Sequence, residues 1–180
     1  MEDDAVRDGI GLELGCGEGR LLELLPNAVG ADYSILGLRQ NRNVRDSVVC
    51  ADAMTLPFAD NSFDYVITNS LHHMSYRETL SEVGRVLKPG GVFHCFEPNR
   101  WHVYNLLFNR QGGDRIVGDR GFFCHALNAE LRLRGMSATT TRFFVLNMER
   151  IRLLTRVQRM AQKIPSRFFQ AWSYTSAIAR

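Results

Sequence analysis

The stretch Gly11-Leu-Glu-Leu-Gly-Cys-Gly-Glu-Gly-Arg20 decides how the rest of the chain is read. Ile10, Leu12 and Leu14 alternate as a strand does, and leucines at 21, 22, 24 and 25 give Glu18 to Leu25 the spacing of an amphipathic helix closed by Pro26. Gly15, Gly17 and Gly19 therefore fall in a strand-to-helix turn. Without a Cβ they admit positive φ and let a ligand approach the main chain, with the N–H groups of the helix start facing it. The spacing is G-x-G-x-G, and Arg20 stands where a dinucleotide fingerprint puts its third glycine, which disfavours a nicotinamide dinucleotide.

At 180 residues and 45% apolar composition, the chain reads as one compact domain over residues 1–180. It opens with no charged segment followed by an apolar h-region. No apolar run approaches the ~20 residues that span a bilayer, so a cytoplasmic location is expected. Cys16, Cys50, Cys95 and Cys124 are far apart, lack C-x-x-C spacing and lie in apolar surroundings, which reads as reduced, buried thiols with no disulfide frame and no metal site. The net charge of +3 conceals an asymmetry: residues 1–130 carry −6 and residues 131–180 carry +9. A basic C-terminal part attracts phosphate, anionic membrane or an acidic partner.

Outward from the glycine turn, acids and histidines recur at strand ends. Ala28-Val-Gly-Ala-Asp32 reads as a second strand, followed by Tyr33-Ser34 and a helical stretch from Ile35 to Arg42. The Asp32 carboxylate can accept hydrogen bonds from both hydroxyls of a ribose, or it can cap the helix, a role for which Ser34 competes. Ser47 to Ala51 reads as a third strand with Asp52-Ala53-Met54 after it. Phe63 to Thr68 reads as a fourth, and Asn69-Ser-Leu-His-His-Met74 leaves its carboxyl end, where open α/β sheets bind ligands. His72 and His73 have near-neutral reference pKa values, so either suits a general base; the alternative is that they cap the next helix or pack beneath the ligand.

Helical spacing from Tyr76 to Leu87 ends at Lys88-Pro-Gly-Gly91, and Val92 to Phe96 reads as a fifth, buried strand with His94 packed inside it. A helix over Ala126 to Arg134 and strands over Ser137 to Leu146 and Ala171 to Ala179 complete the chain. Between those two strands, the spacing over residues 148–164 predicts a basic amphipathic helix, to be read as a lid, a membrane-surface helix or an oligomer contact.

The string Glu13-Leu14-Gly15-Cys16-Gly17-Glu18-Gly19 resembles the first motif, E/D-x-G-x-G-x-G, of class I S-adenosylmethionine-dependent methyltransferases. Residues 51–66 and Arg85-Val-Leu-Lys-Pro-Gly-Gly91 are similar to later landmarks of that family, in its methyltransferase domain 11-like, small-molecule type. The resemblance implies a doubly wound, Rossmann-like α/β sheet of seven strands, mostly parallel with an antiparallel last strand and helices on both faces. It implies S-adenosyl-L-methionine as cofactor and S-adenosyl-L-homocysteine as product. The cofactor-binding set it implies is Glu13, Gly15, Cys16, Gly17, Gly19, Asp32, Tyr33, Asp52, Ala53, Met54 and Asn69. Within that set Asp32 meets the ribose, and Asp52 and the Ala53 N–H meet the adenine. The loop carrying His72 and His73 then faces the transferred methyl group.

The implied reaction is SN2 methyl transfer to a small-molecule or lipid-like acceptor, with Trp101, His102 and Tyr104 as acceptor contacts or, alternatively, core aromatics. Nucleic acid is disfavoured as the acceptor, because Asn69-Ser-Leu-His72 replaces the N-P-P-Y-type clamp expected for a flipped base. Resembling enzymes usually carry one or two helices before the first strand. Here Met1 to Asp8 is short and acidic, so the pocket is expected to be open, covered by a partner or the C-terminal segment, or part of a shortened chain. A non-catalytic partner subunit and an NAD-linked oxidoreductase are the alternatives.

Overall fold

The computed structural model describes residues 8–25, 27–40, 47–98, 124–143 and 172–179. Seven strands form one sheet: β1 Gly11–Leu14, β2 Ala28–Asp32, β3 Val48–Cys50, β4 Phe63–Thr68, β5 Leu87–Pro98, β6 Ser137–Phe143 and β7 Trp172–Ile178. Their spatial order is β3-β2-β1-β4-β5-β7-β6. Pairing is parallel from β3 through β5, while β7 runs antiparallel to both β5 and β6. The order reverses beside β1, so the carboxyl ends of β1 and β4 flank the crevice in which such sheets bind ligands.

Period-two alternation sends side chains to two layers. Leu12, Leu14, Val66, Phe93 and Cys95 pack with Leu80, Val83 and Val86 of α2 (Tyr76–Val86) and with Leu127 and Leu131 of α3 (Cys124–Leu133). Tyr65 and Ile67 face the opposite way and pack with Leu22, Leu25 and Leu38, the last from α1 (Ile35–Gln40). Helices thus cover both faces, as the resemblance implies. Gly11 allows this close packing, because a Cβ there would stand 2.0 Å from the Tyr65 ring.

Three local expectations are corrected. Cys50, expected as a buried thiol, is exposed, because β3 is an edge strand of the sheet. The expected helix from Glu18 to Leu25 is a loop with one 3-10 turn, Leu22–Leu24. Gly19 sits at φ +78° and Pro26 follows within seven residues, too short a span to nucleate stable α-helix. Leu22 and Leu25 still bury, so the leucine pattern reports packing of this segment and not helix. Lys88-Pro-Gly-Gly91 does not precede the fifth strand but lies inside β5. Leu87 pairs with Phe63 and Val92 with Tyr65, so the tetrapeptide bulges out between them. Gly90 takes φ +79° and donates its N–H to the Ala179 carbonyl, while Lys88 Nζ reaches both Asp64 oxygens at 2.9 Å.

Other boundaries agree to within a few residues, and His94 lies buried in β5 as expected, its Nδ1 2.6 Å from Tyr174 Oη. The 148–164 insertion, Trp101, His102 and Tyr104 lie outside the described residues. Among those described, no helix is long and apolar enough to cross a membrane.

Candidate active site

The carboxyl ends of β1, β2 and β3 and the loop after β4 surround a cavity of about 520 Å³. Leu14 and Gly15 come from β1 and its turn, Asp32 and Tyr33 from the end of β2, and Asp52, Ala53 and Met54 from the segment after β3. Ser70, His73 and Met74 close the far side. Gly15 has φ +73°, and a Cβ on it would come 2.8 Å from Ser70 Cβ. The turn can approach the β4 loop only because that position is glycine.

Asp32 holds the turn and the start of α1 together. Its Oδ2 accepts the Gly17 N–H at 2.8 Å and its Oδ1 accepts the Ser34 N–H at 2.7 Å. The helix cap goes to Ser34, whose Oγ accepts from Gly37 N at 3.2 Å. Each Asp32 oxygen keeps a further lone pair. Asp52 is held by the Met54 N–H on Oδ1 at 2.8 Å. Tyr33 and Met54 are exposed at the mouth.

Glu13 lies behind the turn, 3% exposed, with Oε2 lacking a hydrogen-bond partner among the described residues. Burial pushes its carboxyl up to about 7 against the opposing effect of the Leu22 backbone N–H, and the Asp32 charge adds to the rise. Burial likewise pushes the Cys16 thiol up to about 12, with Glu13 and Asp32 contributing. Cys16 Sγ would be 2.7 Å from a Cβ on Gly30, so this thiol packs against β2 and does not line the cavity. Gly17 and Gly19, both at positive φ, shape the turn behind the cavity wall. Asn69 is also set back from the wall and accepts a hydrogen bond from Ser70 Oγ at 2.9 Å.

The two histidines part company. His73 lines the cavity, whereas His72 turns to the β5 side and its Nδ1 lies 2.6 Å from Glu97 Oε2. Their ring centroids are 3.9 Å apart. The sequence reading overlooked Ser70, Met74, Ser75 and Thr79 in the wall, and Thr68 behind it. Thr68 Oγ1 donates to the Leu14 carbonyl at 3.0 Å and accepts from Ser70 N at 3.1 Å, tying the β4 loop to the end of β1. For Thr68 and Ser75 a signal was present: a lone threonine closing the apolar run Tyr65-Val-Ile, and the S-x-x-E spacing of Ser75 and Glu78 at a helix start.

Residues 12–95 match the family described as methyltransferase domain. An uncharacterised protein of Methanocaldococcus jannaschii is 34% identical over 159 residues, which cover 84% of this chain and 57% of that one. A demethylmenaquinone methyltransferase of Staphylococcus aureus is 37% identical over 115 residues, 56% of this chain and 48% of its own. The chain thus spans about half the length of the curated relatives it matches. A Haloferax volcanii methyltransferase solved with the Trm112 methyltransferase activator superposes with a TM-score of 0.73 at 21% identity, covering 96% of this chain and 82% of that one. Family match, sheet order and glycine turn agree: residues 12–95 match the methyltransferase domain family, and the chain has the fold of the solved S-adenosylmethionine-dependent methyltransferases.

Proposed function

We propose that the chain transfers a methyl group from S-adenosylmethionine to a small-molecule or lipid-like acceptor. The observation that carries the reading is the convergence of four successive strand ends on one cavity, which supply Gly15, Asp32, Asp52 and His73 in that order. The donor set suits the cofactor. Two carboxylates with unused lone pairs match hydroxyl and amino donors, and the apolar wall of Leu14, Ala31, Ala51 and Met74 matches a flat base and a thioether chain. The glycine cradle, which a Cβ at Gly15 would fill, leaves main chain accessible to the amino acid end.

When bound, S-adenosylmethionine supplies a sulfonium methyl group open to in-line displacement by a nucleophile. On this reading Asp32 orients the ribose while holding Gly17, and Asp52 and Ala53 take the adenine edge. Glu13, Cys16, Gly17 and Gly19 keep the turn in shape from behind, and Tyr33 and Met54 border the mouth. Asn69 steadies Ser70. His72 and His73 stand on either flank of the loop that separates cofactor from acceptor. Positioning supplies most of the rate, since orienting two reactants contributes ~7–11 kcal/mol. The named substrate of the Staphylococcus aureus relative supports a small, apolar acceptor and makes reduced demethylmenaquinone the first probe.

Calorimetry with S-adenosylmethionine, S-adenosylhomocysteine and NAD, followed by transfer of labelled methyl to acceptors, tests the proposal. Micromolar binding of the first two, lost in Asp32→Ala, together with label in the acceptor, is the expected result. Tight cofactor binding without transfer to any acceptor would favour a non-catalytic partner subunit instead.

A further inference from the structure

Glu97 is a carboxylate placed where the cofactor does not need it. It stands near the carboxyl end of β5, its side chain is 1% exposed, and it is not part of the cavity wall. Both oxygens face the loop after β4. Oε1 accepts the Leu71 N–H at 2.8 Å, and Oε2 lies 2.6 Å from His72 Nδ1. A carboxylate offers only acceptors, so the short contact is an Nδ1–H donating to Oε2. In a neutral ring this leaves the lone pair on Nε2.

Accessibility runs in the same direction. The carboxylate is sealed, while the imidazole keeps 12% of its surface exposed, so the pair can be reached from outside only through the ring. A carboxylate buried at this depth needs a partner that holds it, and the imidazole of His72 supplies one. His73 differs. It faces the cofactor cavity, and among the described residues no hydrogen bond orients its ring, which packs on His72 at a 45° tilt. Cys95 is a further titratable neighbour, its Sγ 3.8 Å from Glu97 Oε1.

We propose that Glu97 is a positioning residue that locks His72 with Nε2 as its proton acceptor, making His72 the general base for an acceptor that arrives from the β5 side of the loop. The inference rests on the methyl-transfer reading and names a role within it. In the step, an O–H bond of the acceptor breaks, its proton forms Nε2–H, and the electron pair left on oxygen makes that oxygen, or in a hydroquinone the ring carbon conjugated with it, the nucleophile. The positive charge that appears on His72 is countered by the Glu97 carboxylate across the Nδ1–H bond, the arrangement in which a base is oriented by a third group. His73 is left to the cofactor.

The test begins with the full chain labelled with 15N-histidine. Long-range 1H–15N correlation reads the tautomer of each ring, and the His72 signal is the one missing from His72→Gln. The expected result is an Nδ1–H tautomer in the parent chain, with its downfield Nδ1 proton lost in Glu97→Gln, which keeps an amide oxygen for Leu71. With reduced demethylmenaquinone as acceptor, His72→Gln and Glu97→Gln are each expected to lower kcat by about 100-fold or more, the scale of a general base. The double variant should be no slower than His72→Gln alone, and the affinity for S-adenosylmethionine should hold. His73→Gln should instead weaken cofactor binding. An Nε2–H tautomer for His72 in the parent chain overturns the proposal, as does a His72→Gln variant with parental kcat. If the parent binds cofactor but does not methylate this acceptor, the acceptor assignment fails, and the tautomer still decides the role of Glu97.

Discussion

Replacing Glu13 with Gln should make the protein more stable in mild alkali than its parent. Glu13 is 3% exposed and its carboxyl is pushed from an ordinary 4.5 up to about 7 by burial. Between those two values the folded chain holds a proton that the unfolded chain has released. Glu13 therefore contributes its full stability below about pH 4.5 and loses it as the pH rises through 7. Each pH unit in that window is worth about 1.4 kcal/mol, so the loss amounts to about 3 kcal/mol. Gln copies the neutral form: it keeps an oxygen for the Leu22 N–H and has no charge to bury. Urea unfolding of both proteins at pH 5, 6, 7 and 8 reads the difference directly. The two should be within about 1 kcal/mol at pH 5, and the variant should lead by up to about 3 kcal/mol at pH 8. The carboxyls of Asp64, Glu78, Glu82 and Glu130 are held below the usual range by their partners, so they act at lower pH and cancel in the comparison. A stability difference that stays constant from pH 5 to 8 would refute the reasoning.

Three further outcomes are expected. Gly15→Ala places an L-residue at φ +73° and a Cβ 2.8 Å from Ser70 Cβ, so it should cost about 1–2 kcal/mol in chemical denaturation and weaken cofactor binding at least tenfold in calorimetry. Asp32→Asn leaves a single oxygen for the two backbone donors that Asp32 now holds, and affinity for S-adenosylmethionine should fall about 10- to 150-fold, the worth of one charge-assisted hydrogen bond. At pH 8 a disulfide reagent should label exposed Cys50 in the folded chain and leave Cys16 untouched, because that thiol is buried and pushed up to about 12; mass spectrometry of the digest checks it.

Strand placement was legible in the sequence because a buried strand needs only a short apolar run and an acid or glycine to end it. Gly15, Asp32 and Asp52 could be located this way, and all three border the cavity. The segment after the glycine turn was not legible. Leucines at helical spacing also describe a loop whose Leu22 and Leu25 plug the space beneath β2, and periodicity cannot separate the two in so few residues. Glu97 was visible only as a residue near a strand end. Its partner lies 25 positions earlier, and the pairing depends on β4 and β5 lying side by side. His72 and His73 are neighbours in sequence and look interchangeable there. A single 3-10 turn, Leu71–His73, sends one to the cavity and the other to Glu97.

The place of β7 also bears on how the protein comes to be made. The last strand in chain order is an inner strand of the sheet, inserted between β5 and β6. A growing chain can zip β1 to β5 in parallel as they emerge, yet β6 has no place to go until Ile178 has been synthesised. The bond between His94 and Tyr174 closes a loop of 80 residues, a late event in any order of assembly. Until then one edge of β5 and all of β6 lack their inner partner, the condition in which nascent sheets pair with the wrong neighbour. Nascent chains stalled before residue 172 should therefore be the form that chaperones hold, and pairing of β7 the event that frees them.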